Sequence, residues 1–236
     1  MEQPRLNLTG HPEKIMPKTS HTPKPRASDQ VENELRRLIL TLQLEPGLAL
    51  SESTLMKRFG WGRTPLREAF QRLSEQGLLQ AIPQHGVAVT PLNLFDFVEV
   101  MDAMSLVIGS AAALACKLLT EAELNQLDEL VAQGESAALA GDFERLSLLD
   151  YEFHSILARA TGNRYLSDYL QRLHQIARRF NFAVWNRQRN ATPSLDEHHQ
   201  LAAIFRARDT VAAKAAMLQH IERARQRVLG TIPIDT

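Results

Sequence analysis

The sequence predicts a mainly α chain in two parts: three short helices closed by a β-hairpin, then an antiparallel all-α helical bundle. Three observations carry this. Strand-like runs are confined to residues 79–82 and 87–90. After Pro91, six segments with helical apolar spacing follow one another across short breaks. The 236 residues are 44% hydrophobic and 23% charged, ordinary for one or two globular domains.

Residues 1–27 hold five of the eleven prolines and no apolar periodicity, so they predict a flexible tail in which His11 and His21 are solvated. Order is expected from residue 28. Val31, Leu35, Leu38, Ile39 and Leu42 form one stripe of an amphipathic helix, which Glu45-Pro46-Gly47 breaks. Ser51 caps a second helix that ends at Gly60. A third runs from about 63 to 76, with Leu66, Phe70 and Leu73 on one face and Gly77 after it. Pro83-Gln84-His85-Gly86 then joins the two strand-like pieces.

Beyond a linker at 91–93, helices are expected at about 94–117, 121–139, 143–160, 164–187, 194–207 and 210–229, filling a domain of 94–230. Thr120 with Glu123 is a capping box, and Asn163 can cap the fourth of these helices. The apolar uncharged run 103–116 is shorter than the ~20 residues that span a bilayer and reads as a buried helix. No apolar stretch follows the N-terminus. The expectation is a soluble, cytoplasmic protein without a membrane partner. Single Cys116 excludes an internal disulfide and any multi-cysteine zinc site.

The charge total, 27 Lys+Arg against 27 Asp+Glu, conceals a division. Residues 1–90 hold 12 basic and 9 acidic side chains, net +3, and residues 91–236 hold 15 and 18, net −3. A polyanion would meet the N-terminal part first. The third helix offers the means, with Arg63, Arg67 and Gln71 at i, i+4 and i+8 opposite its apolar face. Arginine in the first turns, where free N–H groups already favour anions, can grip a phosphate or the O6/N7 edge of guanine. A short helix, a turn, a second helix with a basic start and a hairpin follow winged helix-turn-helix logic.

Asp150 and His154 lie four residues apart on one helical face. His198 stands 11 residues before Asp209 and His220 11 after it. If Asp209 marks the turn of a helical hairpin, the two imidazoles sit at the same height. One carboxylate and three imidazoles from three helices suit a borderline divalent ion. His199 is out of register and expected to point outward, and His174 has no assigned role.

Four motifs at residues 50–55, 59–69, 73–78 and 84–89 (among them Phe59-Gly-Trp-Gly-Arg-Thr-Pro-Leu-Arg-Glu-Ala69 and Gln84-His-Gly-Val-Ala-Val89) resemble the winged helix of GntR-type bacterial transcription regulators. The resemblance implies that Arg63, Thr64 and Arg67 contact DNA, with Gln71 further along the same face. It places His85 and Gly86 at the wing tip. Gly62 departs from the usual capping Ser or Thr, and Trp61 replaces a small aliphatic. The stretch from Asp150-Tyr-Glu-Phe-His154 through Ala160-Thr-Gly-Asn163, Glu197-His198, Arg208-Asp209 and Met217-Leu-Gln-His220 is similar to the ligand-sensing FCD domain of the FadR branch, in its six-helix, VanR-like form.

That second resemblance implies a divalent transition metal, zinc or nickel, one per chain, on Asp150, His154, His198 and His220. Met104 and Ile108 stand where such domains often carry Arg and Glu, and Arg178, Arg179 and Asn181 are read as solvated. The expectation is therefore a nucleoid-associated homodimer on a palindromic double-stranded operator, controlled by a small-molecule effector, a carboxylate, bound at the metal. One rival makes the ion itself the signal. Another is an all-α metallohydrolase, against which no further Glu or Asp stands beside the histidines in an HExxH-like pattern.

Overall fold

The computed structural model describes residues 26–83 and 86–232. The tail expected at 1–27 lies almost wholly outside the described residues, as does His85 at the wing. Ala27 already belongs to the first helix. Helix α1 (Ala27–Leu40) buries Val31, Leu35, Leu38 and Ile39 as its stripe requires. Leu42 does not continue that stripe. The helix has ended, Leu42 takes a left-handed φ of 56°, and it packs instead against a cluster of the bundle that includes Phe143, Leu149 and Trp185.

Strand β1 (Ala49–Leu50) has no expectation behind it, because two residues are too few to show alternation. Helix α2 (Glu52–Phe59) starts where Ser51 Oγ accepts from the Thr54 N–H and ends at Gly60, φ 71°. Helix α3 (Arg63–Glu75) buries Leu66, Ala69, Phe70 and Leu73. Strands β2 (Leu79–Ile82) and β3 (Gly86–Val89) complete an antiparallel sheet of order β1-β3-β2, with Ala49 opposite Ala88 and Leu79 opposite Val89. Leu35, Ile39, Leu66, Leu73 and Val89 form the core of this half.

The bundle comprises α4 (Leu94–Leu118), α5 (Glu121–Leu139), α6 (Phe143–Ala160), α7 (Arg164–Gln188), α8 (Thr192–Arg206) and α9 (Thr210–Leu229). Only α8 starts earlier than expected, by two residues. Pro193 falls in its first turn, where its missing donor is no loss. The breaks are closed by side-chain caps: Thr120 with Glu123, Asp142 on the Arg145 N–H, Asn163 on Tyr165 and Leu166, and Asp209 on Val211 and Ala212. Helix α4 is long and apolar enough on composition alone to cross a bilayer, beyond what the 14-residue run suggests. Its Phe97, Met101, Met104 and Ile108 are nevertheless buried against α6, α7 and α9. Where α4 crosses α9, a Cβ on Gly109 would come within 2.9 Å of Leu218.

The two halves meet through α1 and α7. Arg37 Nη1 lies 3.0 Å from Glu144 Oε1, and Arg179 Nη2 donates to the carbonyl of Thr90. Arg178 and Arg179 are therefore not the solvated residues expected from sequence. They are 4% and 1% exposed, because α1 and the linker cover the side of α7 that the bundle leaves open.

The capping box makes one stability prediction. Thr120→Ala should lower unfolding free energy by ~1 kcal/mol, read as a lower urea midpoint with an unchanged slope. An unmoved midpoint would mean that packing alone fixes the start of α5.

Candidate functional site

On α3, Arg63, Thr64, Arg67 and Gln71 are exposed along one face. Glu52, in the first turn of α2, holds this face together. Its carboxylate accepts from Arg67 Nε at 2.8 Å and stands 4.0 Å from Arg63 Nε. The hydrogen bond from Arg67 keeps the Glu52 carboxyl below its usual range. Sequence reasoning gave Glu52 no role, since it belongs to another helix. Gln71 Nε2 donates to Glu75 at 3.0 Å. Gly62 supplies no side-chain cap, as expected. Trp61 packs, its ring stacked on Phe59 with centroids 4.4 Å apart. Gly86 takes φ 90° at the start of β3, a conformation that suits glycine.

The second site forms where α6, α8 and α9 converge. One turn of α6 carries both Asp150 and His154 inward, and the α8–α9 hairpin about Asp209 brings His198 and His220 level. The ring centroids of His198 and His220 are 4.9 Å apart. His154, His198 and His220 each offer a ring nitrogen within 4.8 Å of the others. His154 Nε2 and His198 Nε2 are 3.2 Å apart, and Asp150 Oδ1 is 3.6 Å from His198 Nε2. His199 points outward, bonded to Glu135.

Burial sets the protonation here. It pushes His154 and His198 well below the ordinary imidazole range, and neighbouring histidines add to the effect. Asp150 is raised to about 6 by burial, against the opposing influence of His220, Arg178 and Arg227. His154 and His198 are thus neutral imidazole donors beside a carboxyl that ionises near neutrality, which is what a divalent ion requires of its ligands.

Two contributors escaped sequence reasoning. Glu197 was expected only as part of a motif, and no second carboxylate was expected beside the histidines. The structure puts it there, its Oε2 2.7 Å from His220 Nδ1 and its Oε1 2.6 Å from Arg227 Nη1. Burial would raise Glu197, but these bonds from His220 and Arg227 outweigh it and hold the carboxyl low. As a carboxylate it accepts a hydrogen bond from the Nδ1–H, which turns the Nε2 edge of His220 toward the other two rings. Engaged on both oxygens, it is no free base for hydrolysis. The other is His174, on the buried Leu170–Ala177 side of α7. Its ring stacks on His154 at 4.3 Å, and its buried Nε2 has no partner among the described residues. Burial lowers it to about 3. Its helical spacing with Leu170 was the available signal.

Both histidines face a small enclosed cavity of about 10 Å³, otherwise lined by apolar side chains that include Ile108 and Met217. Met104 is fully buried and Ile108 nearly so, which leaves this region without the charged pair usual in such domains.

Both halves of the chain are similar to known proteins. Residues 99–223 match the family model for the FCD domain, and residues 27–89 match that for bacterial regulatory proteins of the gntR family. The HTH-type transcriptional repressor RspR of Escherichia coli K12 is 26% identical over 210 residues, 89% of this chain and 92% of RspR. The Nta operon transcriptional regulator of Aminobacter aminovorans is 28% identical over 83% of this chain and 91% of its own length. Among solved structures, E. coli McbR/YncC superposes with a TM-score of 0.76 at 21% identity, over 88% of this chain and 99% of that one, a likeness of fold.

The lowered imidazoles fix the pH response of the metal-stripped protein. His154, His174 and His198 bind protons more readily unfolded than folded, so their contribution to stability is complete above about pH 6.5 and declines as pH falls below it. Asp150, raised to about 6, acts oppositely between about pH 4 and 6, one group against three. The urea midpoint in chelator should therefore fall from pH 7 to pH 5. A midpoint equal or higher at pH 5 would show that these rings are not buried as neutral imidazoles.

Proposed function

The chain belongs to the GntR family of bacterial regulatory proteins and carries an FCD domain, and from that premise we propose a homodimeric operator-binding regulator controlled by an organic acid at a divalent metal. DNA binding and a ligand-binding second domain come with the family; so does regulation rather than enzymology. The rest is our reading: the domain limits 28–90 and 94–230, the residues of both sites, the cytoplasmic nucleoid as the place of action, and the dimer.

The observation that carries the sensor reading is the convergence of three buried imidazoles, with Glu197 bonded to one of them. Asp150, His154, His198 and His220 would hold the ion, zinc or nickel suiting a nitrogen-rich set with one carboxylate. Bound there, the ion supplies a Lewis-acidic cation for the carboxylate of an effector. The chain's own part is to keep His154 and His198 dry and deprotonated, to orient His220 through Glu197 and to exclude water with Phe153, Ile108 and Met217. On DNA, Arg63, Thr64, Arg67 and Gln71 would read the major groove, while His85 and Gly86 approach the backbone from the wing. A two-fold dimer would match the two halves of a palindromic operator. An effector changes operator affinity only by binding two arrangements of the winged helices unequally, and the junction at Thr90-Pro91-Leu92 is where such arrangements would differ.

A second reading has one observation in its favour. The cavity beside His154 and His174 holds little more than a water-sized volume, so the ion itself would serve as the signal without any organic ligand. Operator binding titrated with metal, in the presence and absence of an organic-acid panel, separates the two. Acid-independent control supports the ion.

Two measurements test the site residues. Arg63→Ala and Arg67→Ala should each weaken operator binding by about tenfold or more at ~0.1 M salt, judged by fluorescence anisotropy. Wild-type affinity in both would exclude α3 as the reading helix. Elemental analysis of the purified protein should find about one divalent transition ion per chain, and none after His198→Ala combined with His220→Ala. Absence from the wild type, even after incubation with Zn²⁺ or Ni²⁺, removes the metal from the mechanism.

A further inference from the structure

A cleft of about 490 Å³ separates α1 from α6 and α7, within the size range of small-molecule sites. Arg178 lies on its floor. Only 4% of this residue is exposed, yet its one hydrogen bond runs from Nε to Ser147 Oγ at 2.7 Å. No carboxylate of the described residues comes within ion-pair distance of it. Its Nη groups make no hydrogen bond to a described residue and are not sealed from solvent, so they open on the cleft that Arg178 lines. The Tyr151 ring lies 5.5 Å from the guanidinium and Asp150 acts on it only from beyond contact, so a charge this deep lacks a contacting counter-ion. That is costly, and an anion seated against it relieves the cost.

The other charges around the cleft are already engaged. Glu144 and Glu34 both pair with Arg37, and Arg36 bonds to Glu32 and Gln76. With Glu32 counted against Arg36, three arginines face three glutamates and the surroundings are neutral. Arg178 alone lacks a contacting carboxylate, which suits one monoanion better than a dianion. Leu40 and Leu148 form apolar walls beside the guanidinium. We propose that this cleft is a second ligand site, taking a small organic monocarboxylate with its head on Arg178 and its apolar body against Leu40 and Leu148. The site stands apart from the metal ligands and rests on neither the metal nor the operator reading. Its occupant touches α1 of the DNA-binding half and α6–α7 of the sensor together.

Calorimetric titration of the full-length, metal-bearing protein with octanoate, benzoate and inorganic phosphate tests this. The carboxylates should bind saturably, and phosphate at least about tenfold more weakly. Arg178→Met should weaken carboxylate binding at least about tenfold while leaving the unliganded melting temperature equal or higher, because an unpaired buried charge has gone. Leu148→Asp, at an exposed position, should weaken binding similarly with the fold intact. The His198→Ala/His220→Ala double variant should retain it. No saturable carboxylate binding overturns the site, as does phosphate binding equally well, or affinity indifferent to both cleft variants. Loss of binding in the histidine variant would assign the carboxylate to the metal site and overturn it too.

Discussion

Three imidazoles crowd one dry point between α6, α8 and α9, and that crowding constrains the rest of the sensor. Rings whose nitrogens lie this close tolerate little charge without a compensating ion, and burial holds His154 and His198 neutral. Holding them there requires that α8 and α9 leave their turn at matched heights, which Asp209 enforces by capping α9 through two backbone N–H groups. It also requires a fixed orientation of His220. Glu197 supplies this and is itself kept ionised by Arg227 from the next turns of α9. The pair Glu197–Arg227 is therefore part of the site's chemistry, though neither residue faces the centre.

Helix α7 puts the cluster in physical contact with the DNA-binding half, as α6 does through Glu144 and its cluster with Leu42. His174 stacks on His154 at one level of it. Just over one turn later, Arg178 and Arg179 reach the interdomain cleft and the carbonyl of Thr90, immediately before the linker proline. A small shift of the His154 ring is transmitted to a packed neighbour, and the helix carrying that neighbour holds the end of the wing. This contiguity is a physical route for coupling; its energetic size depends on how far two arrangements of α7 differ.

The sequence displays most of the architecture because its punctuation is local. Thr120, Gly141-Asp142, Gly162-Asn163 and Asp209 cap or stop helices by bonds to backbone within three residues, and each works as its residue type dictates. The meeting of His198 and His220 is also legible, since equal distances from a turn translate directly into equal heights. What sequence cannot display is a surface whose cover comes from elsewhere. Arg178 and Arg179 read as solvated on a basic helix until α1 and the linker are docked on them. Glu52 stays silent until α2 lies against α3, and Leu42 reads as one more helical apolar residue until the chain turns it into the bundle. β1 fails for a different reason: two residues bear no period.

The neutral charge total takes on a specific meaning once Glu52 is placed. A protein with 27 charges of each sign has no general attraction for a polyanion, and residues 28–90, with seven basic and seven acidic side chains, are themselves neutral. In that domain, Arg63 and Arg67 of α3 are already matched to a carboxylate. If Arg63 and Arg67 are the DNA contacts proposed above, they must exchange Glu52 for phosphate or guanine, and Glu52 then faces the backbone's negative charge. An exposed ion pair holds its partners weakly, so the exchange is cheap wherever the bases offer both arginines well-placed acceptors. Where they do not, Glu52 remains as a like charge against phosphate, with little net attraction to offset it. Discrimination between operator and bulk DNA therefore draws on a carboxylate that opposes binding as well as on arginines that favour it.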